Sequence, residues 1–449
     1  MLNIRCSILD VRYSISLMFL FCIVMFQLFP VLLTAQNCSE SGIALDEYAG
    51  RRKALLLRTD TTAAVVMKSK DASGEYEMMH YRQDQNFLYL TGINEPGVYL
   101  LMSAKGIDLN GSVKKAVFFA PSYSELNKEK GKFSSETDTI LNTEEFRNIF
   151  SKLTGGIAVL YFSAPDLGFA NDWLNDTPHF ILTEVKKKLK QAHPGLKIKD
   201  VGQLIAAMRQ VKSPAEIGLT RKAVQMTGDG ILHAMKTCKA GIREYELQAA
   251  IEYEMTRQGS EARAFNCIIG SGENSLILHY DKNDCQLKNG DVVVMDVGAQ
   301  VKGYAADITR TIPVSGKFTK EQKEIYNIVL QAQTEAIKMI RPGVTTNELD
   351  KKANEIISGS GYKSYIRHGI THPVGLDVHD VSSGDTLVEG MIITIEPGIY
   401  IPVNDEKLPA AYRGFGIRIE DDVLVTKEGC EVLSAGIPKT TDEIEKVMK

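Results

Sequence analysis

Two segments of the chain repeat one pattern, and this repeat constrains the fold more than any other feature. Residues 290–298 read Gly-Asp-Val-Val-Val-Met-Asp-Val-Gly, and residues 390–398 read Gly-Met-Ile-Ile-Thr-Ile-Glu-Pro-Gly. Such apolar runs predict buried strands, and a buried acid is costly unless a cation or a hydrogen-bond donor compensates it. The repeat therefore predicts two half-domains that present Asp296 and Glu396 to one shared site.

Composition restricts the class of protein. The chain has 449 residues, of which 44% are hydrophobic and 24% are charged, so it is globular and long enough for more than one core. Its 52 basic and 56 acidic residues give a formal charge of -4, which argues against nucleic acid as a partner. The seven cysteines are scattered singly, so neither a zinc ribbon nor a disulfide scaffold is indicated.

The first 35 residues have the layout of a secretory signal. Arg5 and Arg12 precede an apolar stretch from Leu17 to Leu33, and Ala35 offers a small residue for cleavage. The stretch is also near the lower limit for a membrane span, so an uncleaved anchor is the alternative. We expect an exported protein, periplasmic or secreted, that contacts a membrane only through this segment if it is not removed.

The remainder divides into two predicted domains. Residues 36–205 alternate short β-rich runs with helical stretches and predict a first α/β domain. Ser213-Pro214-Ala215-Glu216 combines an N-cap residue, proline at the first helical position and glutamate at the third, so a helix should begin there. Two long amphipathic helices, 215–238 and 245–258, then open a second domain that covers residues 206–449.

The second domain carries the residues with metal-binding and catalytic chemistry. After Asp296 the chain turns and returns with Asp307, as in the second arm of a hairpin. Three of the chain's eight histidines follow within twelve residues, at 368, 372 and 379, and Glu420 lies on a later strand-like run. The candidate ligand set is Asp296, Asp307, His372, Glu396 and Glu420.

Four carboxylates and one imidazole indicate a dinuclear metal site. Four such acids that converged without a cation would repel one another and take up protons. Oxygen-rich ligation with one nitrogen suits divalent manganese, cobalt or zinc, and bridging carboxylates suit two ions about 3.5 to 4 Å apart. A pair of ions can share a hydroxide nucleophile and polarise a carbonyl, which predicts metal-assisted hydrolysis.

Taken with their flanking residues, these positions resemble the pita-bread metallopeptidase family, most closely its aminopeptidase P branch, the Xaa-Pro aminopeptidases. The resemblance covers nearly all of the chain after the signal, including residues 81–96 in the first domain and 265–280 in the second. It implies an α/β protein of two domains. The first is a creatinase-like α/β domain, and the second is a pita-bread catalytic domain with pseudo-twofold α+β architecture.

The resemblance also implies roles for single residues. Asp296 would bind one ion, His372 and Glu396 the other, and Asp307 and Glu420 both; the ions would be two Mn²⁺, with Co²⁺ or Zn²⁺ as alternatives. The implied catalytic and substrate-facing residues are His279, His368, His379, Tyr400 and Arg418. His379 would shuttle a proton, His279 and His368 would border the proline pocket, and Tyr400 would donate to the developing oxyanion. Arg418, two residues before Glu420 and so on the same face of the predicted strand, would orient a ligand carboxylate or bind substrate.

Three functions remain open at this level. The first is an exopeptidase that removes the amino-terminal residue from peptides with proline in the second position. The second is a prolidase, which performs the same chemistry on Xaa-Pro dipeptides only. The third is a non-catalytic binding protein that has kept the fold, which the intact ligand set disfavours. The resemblance further implies a homo-oligomer, either a dimer or a tetramer.

Overall fold

A computed structural model describes residues 42–71, 81–128, 138–163, 169–172 and 177–449. The predicted signal or anchor, residues 1–35, lies outside the described residues. Within the described part, no helix combines the length and the apolar character needed to cross a membrane.

The α-helices of the described part are given in chain order. They are α1 (Leu45–Leu56), α2 (Gln85–Thr91), α3 (Glu125–Lys128), α4 (Phe146–Thr154), α5 (Ile181–Ala192), α6 (Gly202–Arg209), α7 (Pro214–Thr237), α8 (Glu244–Arg257), α9 (Lys320–Met339), α10 (Thr346–Gly359) and α11 (Thr441–Val447). Short 3₁₀ turns are Thr143–Glu145, Gly272–Leu276, Lys363–Tyr365 and Ala410–Tyr412.

The strands follow the same order. They are β1 (Ala63–Lys68), β2 (Tyr99–Leu109), β3 (Ser112–Ala120), β4 (Asp138–Asn142), β5 (Val159–Ser163), β6 (Phe169–Asp172), β7 (Thr177–Phe180), β8 (Lys197–Asp200), β9 (Ala262–Arg263), β10 (Ile268–Ser271), β11 (Val292–Val297), β12 (Ala299–Val301), β13 (Tyr304–Ala305), β14 (Ile308–Pro313), β15 (Ile392–Ile395), β16 (Gly398–Ile401), β17 (Phe415–Arg418), β18 (Asp421–Val425) and β19 (Cys430–Val432).

The first domain is built on one mixed sheet. Its strand order is β4-β3-β2-β1-β5-β8, with β1 antiparallel to β2 and parallel to β5. On one face, Val66, Leu101 and Phe119 form a buried cluster that is covered by Phe146 and Phe150 of α4. The α/β character predicted for this domain is confirmed.

The second domain contains both halves of the sequence repeat. The two repeats form the buried strands β11 and β15, as predicted. Gly290 and Gly390 each precede their strand by two residues, with φ of +93° and +88°. Strand β11 pairs antiparallel with β14, and β15 pairs antiparallel with β18. The predicted hairpin is therefore present, and each repeat strand has one antiparallel partner that follows it in sequence. The mixed α and β architecture expected of the pita-bread fold is confirmed.

Helix α7 begins where the capping residues place it. Ser213 Oγ accepts a hydrogen bond from the backbone N–H of Glu216 at 3.3 Å, and Glu216 accepts one from the Ser213 N–H at 2.8 Å. The predicted domain boundary, between residues 205 and 206, falls inside α6 and stays a prediction. One continuous apolar cluster extends from Ile43 in the first domain to Ile444 near the carboxyl terminus.

Candidate metal centre and active site

The five candidate ligands lie at the ends of strands or in loops beside them. Asp296 is on β11, Asp307 immediately precedes β14, and Glu396 immediately follows β15. His372 belongs to the segment between α10 and β15, where its backbone N–H donates to Thr394 Oγ1 at 3.1 Å. Strand ends and adjoining loops leave side chains free to turn toward one point, whereas positions inside a strand alternate between the two faces.

One placement differs from the prediction. The sequence predicts Arg418 and Glu420 on one strand, two residues apart. In the structure Arg418 ends β17, and Glu420 lies in the break between β17 and β18. At the break the partner strand changes from β16 to β15, and the backbone N–H of Glu420 donates to the carbonyl oxygen of Thr309 of β14 at 3.1 Å. Glu420 is thereby joined to the opposite half of the repeat.

The second glycine of each repeat permits a close approach beside the site. A Cβ on Gly298 would lie 1.9 Å from the carbonyl oxygen of Ala306, next to Asp307. A Cβ on Gly398 would lie 2.6 Å from Oη of Tyr400. Neither contact is tolerable, so glycine at these positions allows Asp307 to pack beside the end of β11 and Tyr400 to fold back toward the site.

The candidate ligand atoms converge from both halves of the domain. One oxygen from each of Asp296, Asp307 and Glu420 lies within 4.8 Å of the others. The same holds for one ligand atom each of His372, Glu396 and Glu420. Glu420 is common to the two groups, and the Nε2 atom of His372 lies 3.5 Å from Oδ2 of Asp307 and 3.4 Å from Oε1 of Glu396.

This crowding of carboxylates changes their proton affinity. Burial, followed by the charges of Glu420 and Asp296, raises the pKa of Asp307 well above its ordinary value. The pKa of Glu420 is raised for the same first reason, with Glu396 and Asp296 adding to it. Burial likewise raises the pKa of Glu396 from 4.5 to about 8, although Arg418 opposes the change. The protein thus holds acids together at a free-energy cost that a cation would remove.

The donor set fits divalent metal ions. Oδ1 of Asp296 is buried and has no hydrogen-bond partner among the described residues, although a buried carboxylate oxygen normally has one. A metal ion satisfies such an oxygen, and the mixture of carboxylates with one imidazole suits hard or borderline divalent ions. Asp296, Asp307, His372, Glu396 and Glu420 are therefore the residues that would hold them.

Hydrogen bonding prepares His372 for a ligand role. Its Nδ1 atom lies 3.1 Å from the carbonyl oxygen of Pro373, which can only accept, so Nδ1 carries the proton. The lone pair is then on Nε2, the atom nearest to Asp307 and Glu396. Burial, together with the proximity of His379, lowers the pKa of His372 to about 4, so the ring is neutral at neutral pH.

Two hydrogen bonds connect Arg418, Tyr400 and His368, and a third joins His368 to Gly369. His368 donates from Nδ1 to the carbonyl oxygen of Gly369 at 2.8 Å, so its Nε2 accepts from Tyr400 Oη at 2.7 Å. Tyr400 Oη in turn accepts from Arg418 Nη1 at 2.9 Å. Burial lowers the pKa of His368 to about 4 and raises that of Tyr400 to about 12. Tyr400 is fully buried and belongs to this polar chain rather than to apolar packing alone.

The remaining two histidines are exposed. The ring of His379 lies over that of His372, with centroids 4.1 Å apart, and one of its nitrogens is within 4.8 Å of ligand atoms of Asp307 and His372. His279 follows the 3₁₀ turn Gly272–Leu276, and the carbonyl oxygen of Leu276 accepts at 3.3 Å from Nη1 of Arg367, the neighbour of His368. The structure thus brings together every site residue that the sequence singles out.

Two supporting residues, Thr309 and Asp422, are not among the site residues that the sequence predicts. Thr309 Oγ1 accepts from Arg418 Nε at 3.2 Å and donates to Glu420 at 2.7 Å. Asp422, fully buried, accepts the backbone N–H of Asp307 at 3.1 Å. Only the pairing of β11 with β14 and the path of residues 418–422 bring these two side chains to the site.

Known proteins share both domains. The family description "Metallopeptidase family M24" matches residues 218–427, and "Aminopeptidase P, N-terminal domain" matches residues 48–156. The Xaa-Pro aminopeptidase of Escherichia coli is 34% identical over 446 aligned residues, which cover 91% of this chain and 98% of the relative. An Xaa-Pro dipeptidase of Pyrococcus horikoshii is 41% identical over 262 residues, covering 57% of this chain and 70% of the relative.

The fold agrees with these sequence relationships. The solved structure of E. coli aminopeptidase P with the inhibitor Pro-Leu matches at a TM-score of 0.77 and 33% identity, over 90% of this chain and 98% of that one. The match therefore includes both domains. All five converging ligands lie within residues 218–427, the region that matches family M24. The chain belongs to metallopeptidase family M24, and its amino-terminal domain places it in the aminopeptidase P group.

Proposed function

We propose that this protein is a metal-dependent aminopeptidase that hydrolyses the amino-terminal Xaa-Pro bond of peptides. The observation that carries the proposal is the convergence of the five ligands beneath the exposed ring of His379. The near full-length similarity to an Xaa-Pro aminopeptidase supports the choice of substrate. A proline amide has no N–H and a fixed φ, so a dedicated site is needed where ordinary peptidases act poorly.

We further propose that the site holds two ions and that manganese is the physiological metal, with cobalt or zinc as alternatives. Two such ions would supply a hydroxide nucleophile at neutral pH and polarise the scissile carbonyl. Asp307 and Glu420 are the proposed shared ligands, since each lies near members of both halves of the site. Asp296 would complete one half, and His372 and Glu396 the other.

Other residues of the site would orient a metal ligand, donate a proton to the leaving group and border the substrate. Arg418 fixes the Asp296 carboxylate through one oxygen and leaves the other free to bind. His379 is exposed beside His372, where it can give a proton to the proline nitrogen as that nitrogen leaves. His279 and His368 are proposed to border the proline, since His279 lies in an exposed turn that is joined to the segment of His368 by the Arg367–Leu276 hydrogen bond.

Tyr400 has a constraint that the sequence did not reveal. Its single proton is donated to His368 in the structure, while Arg418 donates to the same oxygen. Tyr400 can therefore donate to a developing oxyanion only after its bond to His368 is released. Arg418 keeps the hydroxyl oxygen in place during that exchange.

A competition assay tests the substrate. The protein loaded with manganese receives an equimolar mixture of an Xaa-Pro dipeptide, an Xaa-Pro-Xaa tripeptide and a Met-Ala peptide, and mass spectrometry follows each one. We expect preferential release of the first residue from the tripeptide. Glu420→Ala, which lacks a proposed shared ligand, is the matched inactive control.

The other outcomes identify the alternatives. Cleavage of the dipeptide alone would make the protein a prolidase, which the similarity to the P. horikoshii dipeptidase keeps as the second candidate. No cleavage in the presence of two bound ions would indicate a binding role.

We also propose that the protein is exported and forms a dimer or tetramer. The basic and apolar pattern of residues 1–35 supports export. Cell fractionation followed by mass spectrometry tests both the compartment and the cleavage site, with Gln36 as the expected first residue. An intact chain in the membrane fraction would favour the anchor instead. Light scattering on the purified protein measures the oligomeric state.

A further inference from the structure

A buried polar cluster connects the segment that carries His379 to the first domain. Arg209, at the end of α6, donates from Nη2 to Asp377 at 2.8 Å and also to Asp380. Its Nη1 donates at 2.8 Å to Asn86, which lies on α2 of the first domain. The two aspartates flank His379 in sequence, so one guanidinium contacts both sides of that residue.

Lys212 completes the cluster. It donates from Nζ to the second carboxylate oxygen of Asp380 at 3.1 Å, and the side chains of Lys212 and Asp380 are each 1% exposed, against 3% for Arg209. Burying three charges costs several kcal/mol per ion, and pairing recovers that cost only in good geometry. Such a cluster is a poor means of stabilising a fold, so its use beside the active site requires another explanation.

The cluster fixes the shape of the segment. The backbone N–H of Asp380 donates to the carbonyl oxygen of Pro373 at 2.9 Å, and that of Gly375 donates to the carbonyl oxygen of Asp377 at 3.0 Å. A Cβ on Gly375 would lie 2.2 Å from the Asp380 carboxylate, so the chain folds directly around this side chain. Residues 372–380 thus form a closed turn that carries His379 back over His372.

Leu88 of the first domain and Leu376 of this turn both lie against Gly303. A Cβ on Gly303 would lie 3.0 Å from Leu88 of α2 and 3.1 Å from Leu376. Asn86, two residues before Leu88 on α2, is joined to the turn through Arg209. Helix α2 therefore lies beside residues 372–380 at Gly303 and is linked to them through the Arg209 guanidinium.

We propose that Arg209 is a positioning residue for His379, and that Asn86 makes the first domain part of this support. The inference rests on the proposed catalytic role of His379. Arg209 contacts neither the candidate ligands nor His379 itself in the structure. It acts through Asp377 and Asp380, which hold the turn that places the imidazole.

A double-mutant cycle tests the proposal in the full-length, metal-loaded protein. Arg209→Lys keeps the charge but loses the planar fork that reaches three partners at once. We expect kcat for the Xaa-Pro tripeptide to fall by about 10 to 100-fold, with KM within about twofold and metal content unchanged. In a His379→Ala background the same substitution should change kcat by less than about twofold, because the group that it positions is already absent.

Arg52→Lys is the matched control. Arg52 is a buried arginine that pairs with Asp138 inside the first domain and donates to the carbonyl oxygen of Leu90. Its replacement should lower the unfolding midpoint, as we also expect for Arg209→Lys, but it should not lower kcat. Backbone hydrogen exchange of residues 374–381 should accelerate in Arg209→Lys and remain unchanged in Arg52→Lys.

Milder variants keep the test available if Arg209→Lys does not fold. Asn86→Ala removes only the contact from the first domain, and Asp377→Asn weakens the outer ion pair, whose aspartate side chain is 38% exposed. Both should lower kcat in the same direction by a smaller factor. Equal losses from Arg209→Lys in the wild-type and His379→Ala backgrounds would overturn the positioning role while leaving the proposed function intact. An unchanged kcat in His379→Ala alone would instead overturn the role of His379, and the inference with it.

Discussion

Arg418 donates from Nη2 to Oδ2 of Asp296 at 2.6 Å, and the other oxygen of Asp296 is buried with no hydrogen-bond partner in the described part of the chain. The arginine thus holds the carboxylate in one orientation and leaves a single oxygen for a cation. Its other nitrogens donate to Tyr400 and Thr309, and Thr309 donates to Glu420. One buried guanidinium therefore orients groups from both halves of the repeat.

Arg418→Lys should weaken metal binding. A lysine ammonium cannot reach Asp296, Tyr400 and Thr309 together, so the Asp296 carboxylate should lose its fixed orientation. We expect the affinity for Mn²⁺ to fall by about 10 to 100-fold, as is typical when a partner of a metal ligand is removed. Calorimetric titration of the metal-free protein measures it, and Arg413→Lys, at an arginine outside the site that donates to Leu408, is the control. Wild-type affinity in Arg418→Lys would contradict the assigned role.

Glu420→Ala should remove a ligand that both halves of the site share. We expect bound metal to fall from about two ions per chain to about one or fewer, with loss of measurable hydrolysis. Elemental analysis after dialysis measures the metal, and the tripeptide assay measures activity. Full turnover with both ions retained would show that Glu420 is not a ligand.

The ligands could be predicted from the sequence because their signals are local. An apolar run that ends in an acid, as at Asp296 and Glu396, indicates a buried strand and an unusual carboxylate without knowledge of tertiary contacts. The capping residues Ser213 and Glu216 likewise mark the start of α7 by themselves. These features depend only on residues a few positions away, so they can be recognised in a single sequence.

The supporting residues could not be predicted because they depend on distant contacts. Thr309 reaches Glu420 only through the approach of β14 to residue 420, which lies 111 residues away. Arg209 meets Asp380 across 171 residues and Asn86 across 123. An arginine at the end of an amphipathic helix normally faces solvent, so nothing near Arg209 in sequence indicates that it is buried against the active-site turn.

The pH dependence of the metal-free protein should show the repulsion among the acids. The folded-state pKa of Glu396 is raised from 4.5 to about 8, so between these values the folded state binds more protons and stability falls as pH rises. The pKa values of His368 and His372 are lowered from 6.5 to about 4, which makes stability rise with pH over that lower range. Between about pH 6.5 and pH 8, only the raised pKa of Glu396 still makes stability depend on pH, and there stability falls as pH rises.

We therefore expect the unfolding free energy of the metal-free protein to decrease from about pH 6.5 to about pH 8. Urea unfolding at several pH values in the presence of a chelator measures it. Glu396→Gln should reduce the slope, and saturating Mn²⁺ should remove it because the bound ions hold the carboxylates ionised. A flat or rising profile in the metal-free protein would argue against buried, protonated acids.

Tyr400→Phe should distinguish a catalytic role of the Tyr400 hydroxyl from a packing role of its ring. The substitution keeps the ring but removes the oxygen that accepts from Arg418 and donates to His368. We expect kcat to fall by about 10 to 1,000-fold with metal content retained, as for loss of an oxyanion donor. Tyr326→Phe is the matched control, because Tyr326 is equally buried and donates to the backbone of Lys439 away from the site. Equal activity in the two variants would reduce Tyr400 to a packing residue.

His379→Ala distinguishes a role of His379 in proton transfer from a role as a metal ligand. One ring nitrogen of His379 lies within 4.8 Å of ligand atoms of Asp307 and His372, so the residue is near enough to the centre to affect either protons or metal. Because it is exposed while the five candidate ligands are largely buried, we expect it to transfer protons rather than to bind an ion. The value of kcat should then fall by about 10² to 10⁴ with metal content unchanged. Loss of an ion from this variant would instead make His379 a metal ligand.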